Sequence, residues 1–291
     1  MNLSTALHRR EEEAVARSSA GKQIPVYLAK NYRLFMNQRD WKFILIAAVI
    51  GFLVCAVVGN DMFRTYEDTE SGFFAIISAG IWIGIFNSIQ TVCKEHETIA
   101  SEYRARLHIS AYILAHIIFE FAVCFIQAAL LTGICFLWVD FPAHHVLLGA
   151  ALPEYFITLF LIVWASDIMG LMVSSVSSTP NVAMTAMPFL LILQLVMSGV
   201  LFRLSGWAKY IAYITCSKWG MSALGCIGNL NDPDLPLGMS LAYPEIVRLS
   251  FNSAYDPTVQ TLLTAWGSLL LICFGCTVIA ILSLKIRNRG A

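Results

Sequence analysis

Charge is what this sequence has least of: only 13% of its 291 residues are Asp, Glu, Lys or Arg, about half the share in an ordinary soluble domain. With 58% hydrophobic residues beside that shortage, a water-soluble globule is excluded. Nineteen basic and nineteen acidic side chains cancel, so no net field recruits nucleic acid or an acidic partner. There is no GxxxxGK[ST] loop to cradle phosphates, so a nucleotide-driven engine would have to sit on another polypeptide. An HExxH, a Ser with a partnered His and a finger-type cysteine spacing are also missing. The eight cysteines (55, 93, 124, 135, 216, 226, 273 and 276) fall mostly in apolar runs, where cysteine packs as a small hydrophobe. Cys273 and Cys276 form a CxxC inside such a run and are read as packing too. Residues 1 to 22 lack the apolar core of a cleavable signal, so the first span is expected to act as an uncleaved signal anchor. Internal repeats and low-complexity tracts are absent as well.

What is plentiful is uninterrupted apolar sequence. A membrane helix needs about 20 apolar residues, and six stretches qualify: 41–59, 72–93, 109–139, 155–176, 182–202 and 259–284. The expected fold is an all-α membrane bundle of six transmembrane helices. Basic residues stay on the cytoplasmic side. Eight lie in 1–42, three in 94–106 and three in the tail, so fourteen of nineteen share one side with both termini. The other side receives five basic residues against ten acids, including Asp61, Glu70, Asp140, Glu154 and Glu245. Both termini are therefore expected in the cytoplasm.

Three segments outside the spans carry pattern. After a polar segment, 1–23, residues 24–40 place Ile24, Leu28, Tyr32, Phe35 and Met36 at helical spacing, with Lys30, Arg33 and Asn37 facing elsewhere. That is an amphipathic surface helix. Between the second and third spans, Glu95, Glu97, Ile99, Glu102, Tyr103, Arg104 and Arg106 form a compact charged segment with helical spacing, suited to docking. Residues 203–257 are too long for a passive connector; Trp207 to Ile214 and Trp219 to Ile227 read as two short helices of an external cap, broken by Pro233 and Pro236. The six-span body is thus expected over 41–286, and 287–291 is a basic tail. Cys216 and Cys226 are ten residues apart, about 15 Å along a helix, so only a turn between the short helices would let them bridge.

Ionisable groups inside spans call for a functional hypothesis. His116 and Glu120 stand at i, i+4 in the third span and Asp167 lies in the fourth. If the spans face one another, the trio would suit a polytopic membrane enzyme, a metal site or a proton relay. Interhelical hydrogen bonding is the plainer role. A gated channel would show a ring of like charges or a carbonyl filter, and neither is visible.

The order of parts, with specific residues, resembles the membrane domain of type-2 ATP-binding-cassette (ABC) exporters, and of their G subfamily in particular. Glu95, Glu102-Tyr103 and Ser110-Ala111-Tyr112 are similar to that subfamily's E…EY…SAY run, and Met197-Ser198-Gly199-Val200-Leu201-Phe202 followed by Ala223-Leu224 and Asn229 to its SGxL…AL…N segment. The resemblance implies a six-span subunit in a homodimer or heterodimer, bound to cytoplasmic ABC ATPases and moving a small amphipathic substrate. ATP and magnesium would be held by those partners, with no cofactor, catalytic residue or metal on this chain and no nucleic acid as partner. Residues 24–40 would be the connecting helix. Glu95, Glu97, Ile99, Glu102 and Arg104 would belong to the coupling helix. Ile83, Phe86, Asn87, Leu191, Ile192 and Leu195 would wall a cavity between spans two and five, closed above by Val200 and Leu201. The short polar stretch before residue 24 implies an ATPase on a separate chain, in the bacterial manner and in the plasma (inner) membrane. The aromatic that stacks on flat drugs in some relatives aligns near Ile83, which speaks against flat aromatic substrates here.

Overall fold

The apolar runs become helices because a backbone without water must satisfy its own N–H and C=O groups, and a helix does so within one segment. The computed structural model describes residues 20–59, 62–104, 107–139, 141–142, 144–202, 204–232 and 252–289. The polar stretch 1–19, Asp61, Arg106, Asp140, Arg203 and the loop holding Pro233, Asp234, Pro236 and Glu245 lie outside the described residues. Among those described, every element is helical: α1 (Ala20–Gln38), α2 (Lys42–Val58), α3 (Tyr66–Ser88), α4 (Thr91–Lys94), α5 (His96–Arg104), α6 (Ile109–Trp138), α7 (Ala151–Val176), α8 (Pro180–Val196), α9 (Ala208–Ala212), α10 (Cys216–Ile227), a 3-10 turn (Ser253–Tyr255) and α11 (Val259–Arg289).

Four of these are long and apolar enough to cross a membrane: α3 continued through α4, α6, α7 and α11. A fifth candidate is α1 with α2, bent by 69° where Arg39 takes a φ of 61°. The run expected to extend to Phe202 stops being helical at Val196; Gly199, with φ of 86°, turns the chain just beyond.

The core is organised by α7, which packs against α3, α6, α10 and α11. Its approach to α3 needs glycine on both sides. A Cβ at Gly84 would run into the Val163 carbonyl, and one at Gly170 would lie 2.6 Å from the Ser88 hydroxyl. Small residues of this kind let membrane helices come close enough for dispersion and hydrogen bonds to act. Ser88 donates to the Asp167 carbonyl, and the Ser174 hydroxyl accepts from Val92 N at 3.0 Å and Cys93 N at 3.1 Å. Those two bonds seat α4 against the end of α7.

The two short helices expected in the cap are α9 and α10. Cys216 and Cys226 sit on one continuous helix, α10, and both are free thiols; no turn intervenes to bring them together.

Candidate functional site

At the end of the bundle that carries α1, α4 and α5, elements far apart in sequence meet through charge. The spacing of α1 turns Lys30 away from the apolar stripe, yet in the fold Lys30 points into the protein. Its Nζ is 3.3 Å from Glu95 and 3.5 Å from Glu102. The Tyr27 hydroxyl donates to Glu102 at 3.1 Å and the Tyr112 hydroxyl to Glu95 at 2.9 Å. Burial first, then the charge of Glu102, holds the Tyr27 phenol well above its usual range. The apolar stripe splits in consequence: Tyr32 and Met36 are exposed, while Asn31 is buried. Two neighbouring acids at Glu95 and Glu102 need a cation more than the surface does, and Lys30 supplies it.

Helix α5 is fastened from a second side. The Arg287 guanidinium at the end of α11 lies 2.9 Å from His96 Nε2 and donates to the Ser177 carbonyl at 3.1 Å. Burial, and then the Arg287 charge, lowers His96 to a pKa of about 4, so it is neutral and free to accept. Ile99 is fully buried under α5, whereas Glu97 and Arg104 are exposed on its outer face. The charged segment thus divides into an inward pair, Glu95 and Glu102, and an outward pair.

Next to this clasp lies a cavity of about 310 Å³ between α1, α3, α4 and α6, lined among others by Asn31, Asp40, Phe86, Asn87, His116 and Glu120. Of the residues expected to wall a substrate cavity, Phe86 and Asn87 reach it. Asn87 also exchanges amide hydrogen bonds with Gln127, at 2.8 Å and 3.0 Å, which joins α3 to α6. Ile83 and Leu191 are buried in packing between helices, and Ile192 is exposed; Leu195 is half-buried. In the turn after α8, Val200 is half-buried and Leu201 exposed.

Of the three intramembrane ionisable residues, His116 and Glu120 line the cavity. Asp167 is fully buried on α7 and does not line it. Among the described residues no group of three His, Cys, Asp or Glu could hold a metal ion.

A family model described as ABC-2 type transporter matches residues 24–225. The chain belongs to the ABC-2 type transporter family. No curated protein gives a significant match. The matched segment of this ABC-2 membrane domain begins within α1 and ends within α10, so it takes in the whole clasp except Arg287. Membership makes it a multi-pass membrane component of a transporter. Lys30, Tyr27, Asn31 and Arg287 are site residues that pattern reading passed over. A cation four positions from Leu34 and one turn from Tyr27 offers a faint signal, but only the acids brought opposite it decide which way it points.

Proposed function

We propose that this ABC-2 protein is the permease of an ATP-driven exporter, G-subfamily-like, with its engine on a separate ATPase subunit. ABC-2 permeases normally work with an ABC ATPase partner, which supports an engine outside this membrane domain. Helices α2 and α8, of 17 residues each, reach about 25 Å at 1.5 Å per residue, near the hydrocarbon thickness. Counted with α3, α6, α7 and α11 they complete six spans, and the end rich in Lys and Arg then faces the cytoplasm of a bacterial inner membrane.

One observation carries the reading: α5 is anchored by Ile99, tied by Glu95 and Glu102 to α1 and by His96 to α11, while Glu97 and Arg104 face outward. Such a helix transmits a push on its outer face to the surface helix α1 and to the span α11 at once, as a coupling helix must. Leu201 and Phe189 are exposed, and in a dimer they would meet their counterparts; Val200 and Leu201 would form the outer gate, and α3 and α8 would wall the substrate path.

The test is affinity purification from native membrane. A cytoplasmic ATPase should accompany the wild-type chain, and the isolated chain should hydrolyse no ATP. Reversing the outward charges with Glu97→Lys and Arg104→Glu should abolish capture of the ATPase without altering membrane insertion. Hydrolysis by the isolated polypeptide, or undiminished capture by the double variant, would end the proposal.

A further inference from the structure

The cavity beneath α1 contains more unanswered polarity than packing requires. Asn31 is 4% exposed and His116 3% exposed, and both amide atoms of Asn31 and the Nε2 of His116 lack any hydrogen-bond partner. All three atoms belong to residues that line the same cavity, as does Glu120, itself 8% exposed. Buried polar groups are costly to leave unpaired, so a site that keeps several is built to be completed by something else.

The charges around the cavity say what completes it. Lys30 is occupied by Glu95 and Glu102. At the mouth, Asp40 and the exposed Lys94 oppose one another. That leaves Glu120 as the uncompensated acid, about 16 Å along α6 from Ile109 at 1.5 Å per residue. Phe35, Phe43, Phe86 and Phe119 also line the cavity, and aromatic faces attract a cation as well as an apolar body. A volume of about 310 Å³ is at the small end of ligand pockets.

We propose that this cavity within a single subunit binds the ammonium group of an amphipathic amine, with Glu120 as the countercharge, Asn31 and His116 as hydrogen-bonding partners and the four phenylalanines around the apolar part. The site is distinct from a path between two subunits. It adds a ligand class to the permease reading and rests on that reading only for what happens to the ligand after binding. The ammonium could belong to a free amine or to an ethanolamine lipid headgroup.

The experiment uses the full chain in phosphatidylcholine nanodiscs without any ATPase, and three tritiated probes with one apolar body: phenylbutylamine, phenylbutanol and phenylbutyrate. Binding is measured above that of empty discs. The amine should bind saturably, the alcohol about tenfold more weakly, as expected for loss of one charge-assisted hydrogen bond, and the carboxylate not at all. Glu120→Gln should reduce amine binding about tenfold, again one charged contact, and leave the alcohol unchanged. Asn31→Leu, on another helix, should weaken both. Elution position and unfolding midpoint in the same discs show that each variant is folded, and the three-probe comparison on the unaltered chain stands even if a variant is not. Repeating the amine titration in discs containing phosphatidylethanolamine separates the sources. Competition assigns the site to the lipid headgroup, and its absence to a free amine. Equal binding of all three probes would mean that only the apolar body is recognised, and no binding above empty discs that water alone fills the cavity; either result would overturn the proposal. Because no ATPase takes part, a null result here leaves the docking test intact, and failure of docking leaves a positive binding result standing.

Discussion

The two ends of the bundle are held together in different ways. At the end bearing α1 and α5, the joints are ionic and partly open to solvent: Lys30 with Glu95 and Glu102, whose side chains keep 18% to 31% of their exposure. At the opposite end the joints are mostly uncharged, and each rests on a buried side chain, Gln194, Ser222 or Thr158. Gln194 takes the Ser217 N–H at 3.2 Å, Ser222 donates to the Ala254 carbonyl at 2.7 Å, and Trp266 to the Thr158 hydroxyl at 2.9 Å. Among the described residues the one buried carboxylate there, Glu154, accepts the backbone N–H groups of Val146, Leu147 and Leu148 at 2.5 to 3.0 Å. Half-exposed ion pairs are individually weak and yield to salt, whereas buried hydrogen bonds are expensive to leave unmade. The difference assigns the adjustable part of the molecule to the α1 and α5 end and the fixed part to the cap.

The sharpest way to break that contrast is Glu154→Ala. It strips three N–H groups of their acceptor and should lower stability by about 3 kcal/mol, read as a drop in the thermal unfolding midpoint that added salt does not change. A small or salt-sensitive effect would erase the distinction between the ends. Lys30→Met should cost less, about 1 kcal/mol, and the loss should shrink as sodium chloride is raised, because the wild-type clasp weakens while the variant has nothing left to screen. Equal losses at low and high salt would mean that Lys30 acts by packing.

The smallest effect concerns His96. Its folded-state pKa of about 4 lies below the ordinary 6.5, so the unfolded chain takes up a proton first on acidification. The stabilisation is therefore full above pH 6.5 and is lost as pH falls from 6.5 towards about 4. His96→Gln should remove that step from the pH profile of the unfolding midpoint while leaving the cap unaffected. A step that persists belongs to another group.

How much of this was legible beforehand depends on the range of the interaction involved. The third apolar run and its helix coincide almost to the residue, Ile109–Trp138, and the last run starts with its helix at Val259, which continues past Leu284 to Arg289, because hydropathy over twenty residues is a local property. Helix ends governed by one unusual dihedral were missed, as at Val196 before Gly199. The charged segment was recognisable as a unit, but its division into inward Glu95 and Glu102 and outward Glu97 and Arg104 was not. His116 and Glu120 were visible as a pair four residues apart on one helix face; that the third ionisable residue, Asp167, does not line their cavity was invisible.

The sequence by itself determined that the chain is helical and membrane-embedded, and that these 291 residues carry no phosphate-binding loop. These follow from composition and spacing, which act on each segment alone. Tertiary structure decided which face each helix buries. α11 has the most apolar window of the candidate spans, yet only 28% of it is buried, against 67% for α7, because lipid accepts apolar side chains as readily as protein does and hydropathy cannot tell the two apart. It decided also that Lys30 turns inward and that Asn31, His116 and Glu120 share one cavity. Each of those outcomes needs a partner tens of residues away, and only the folded chain brings that partner within reach.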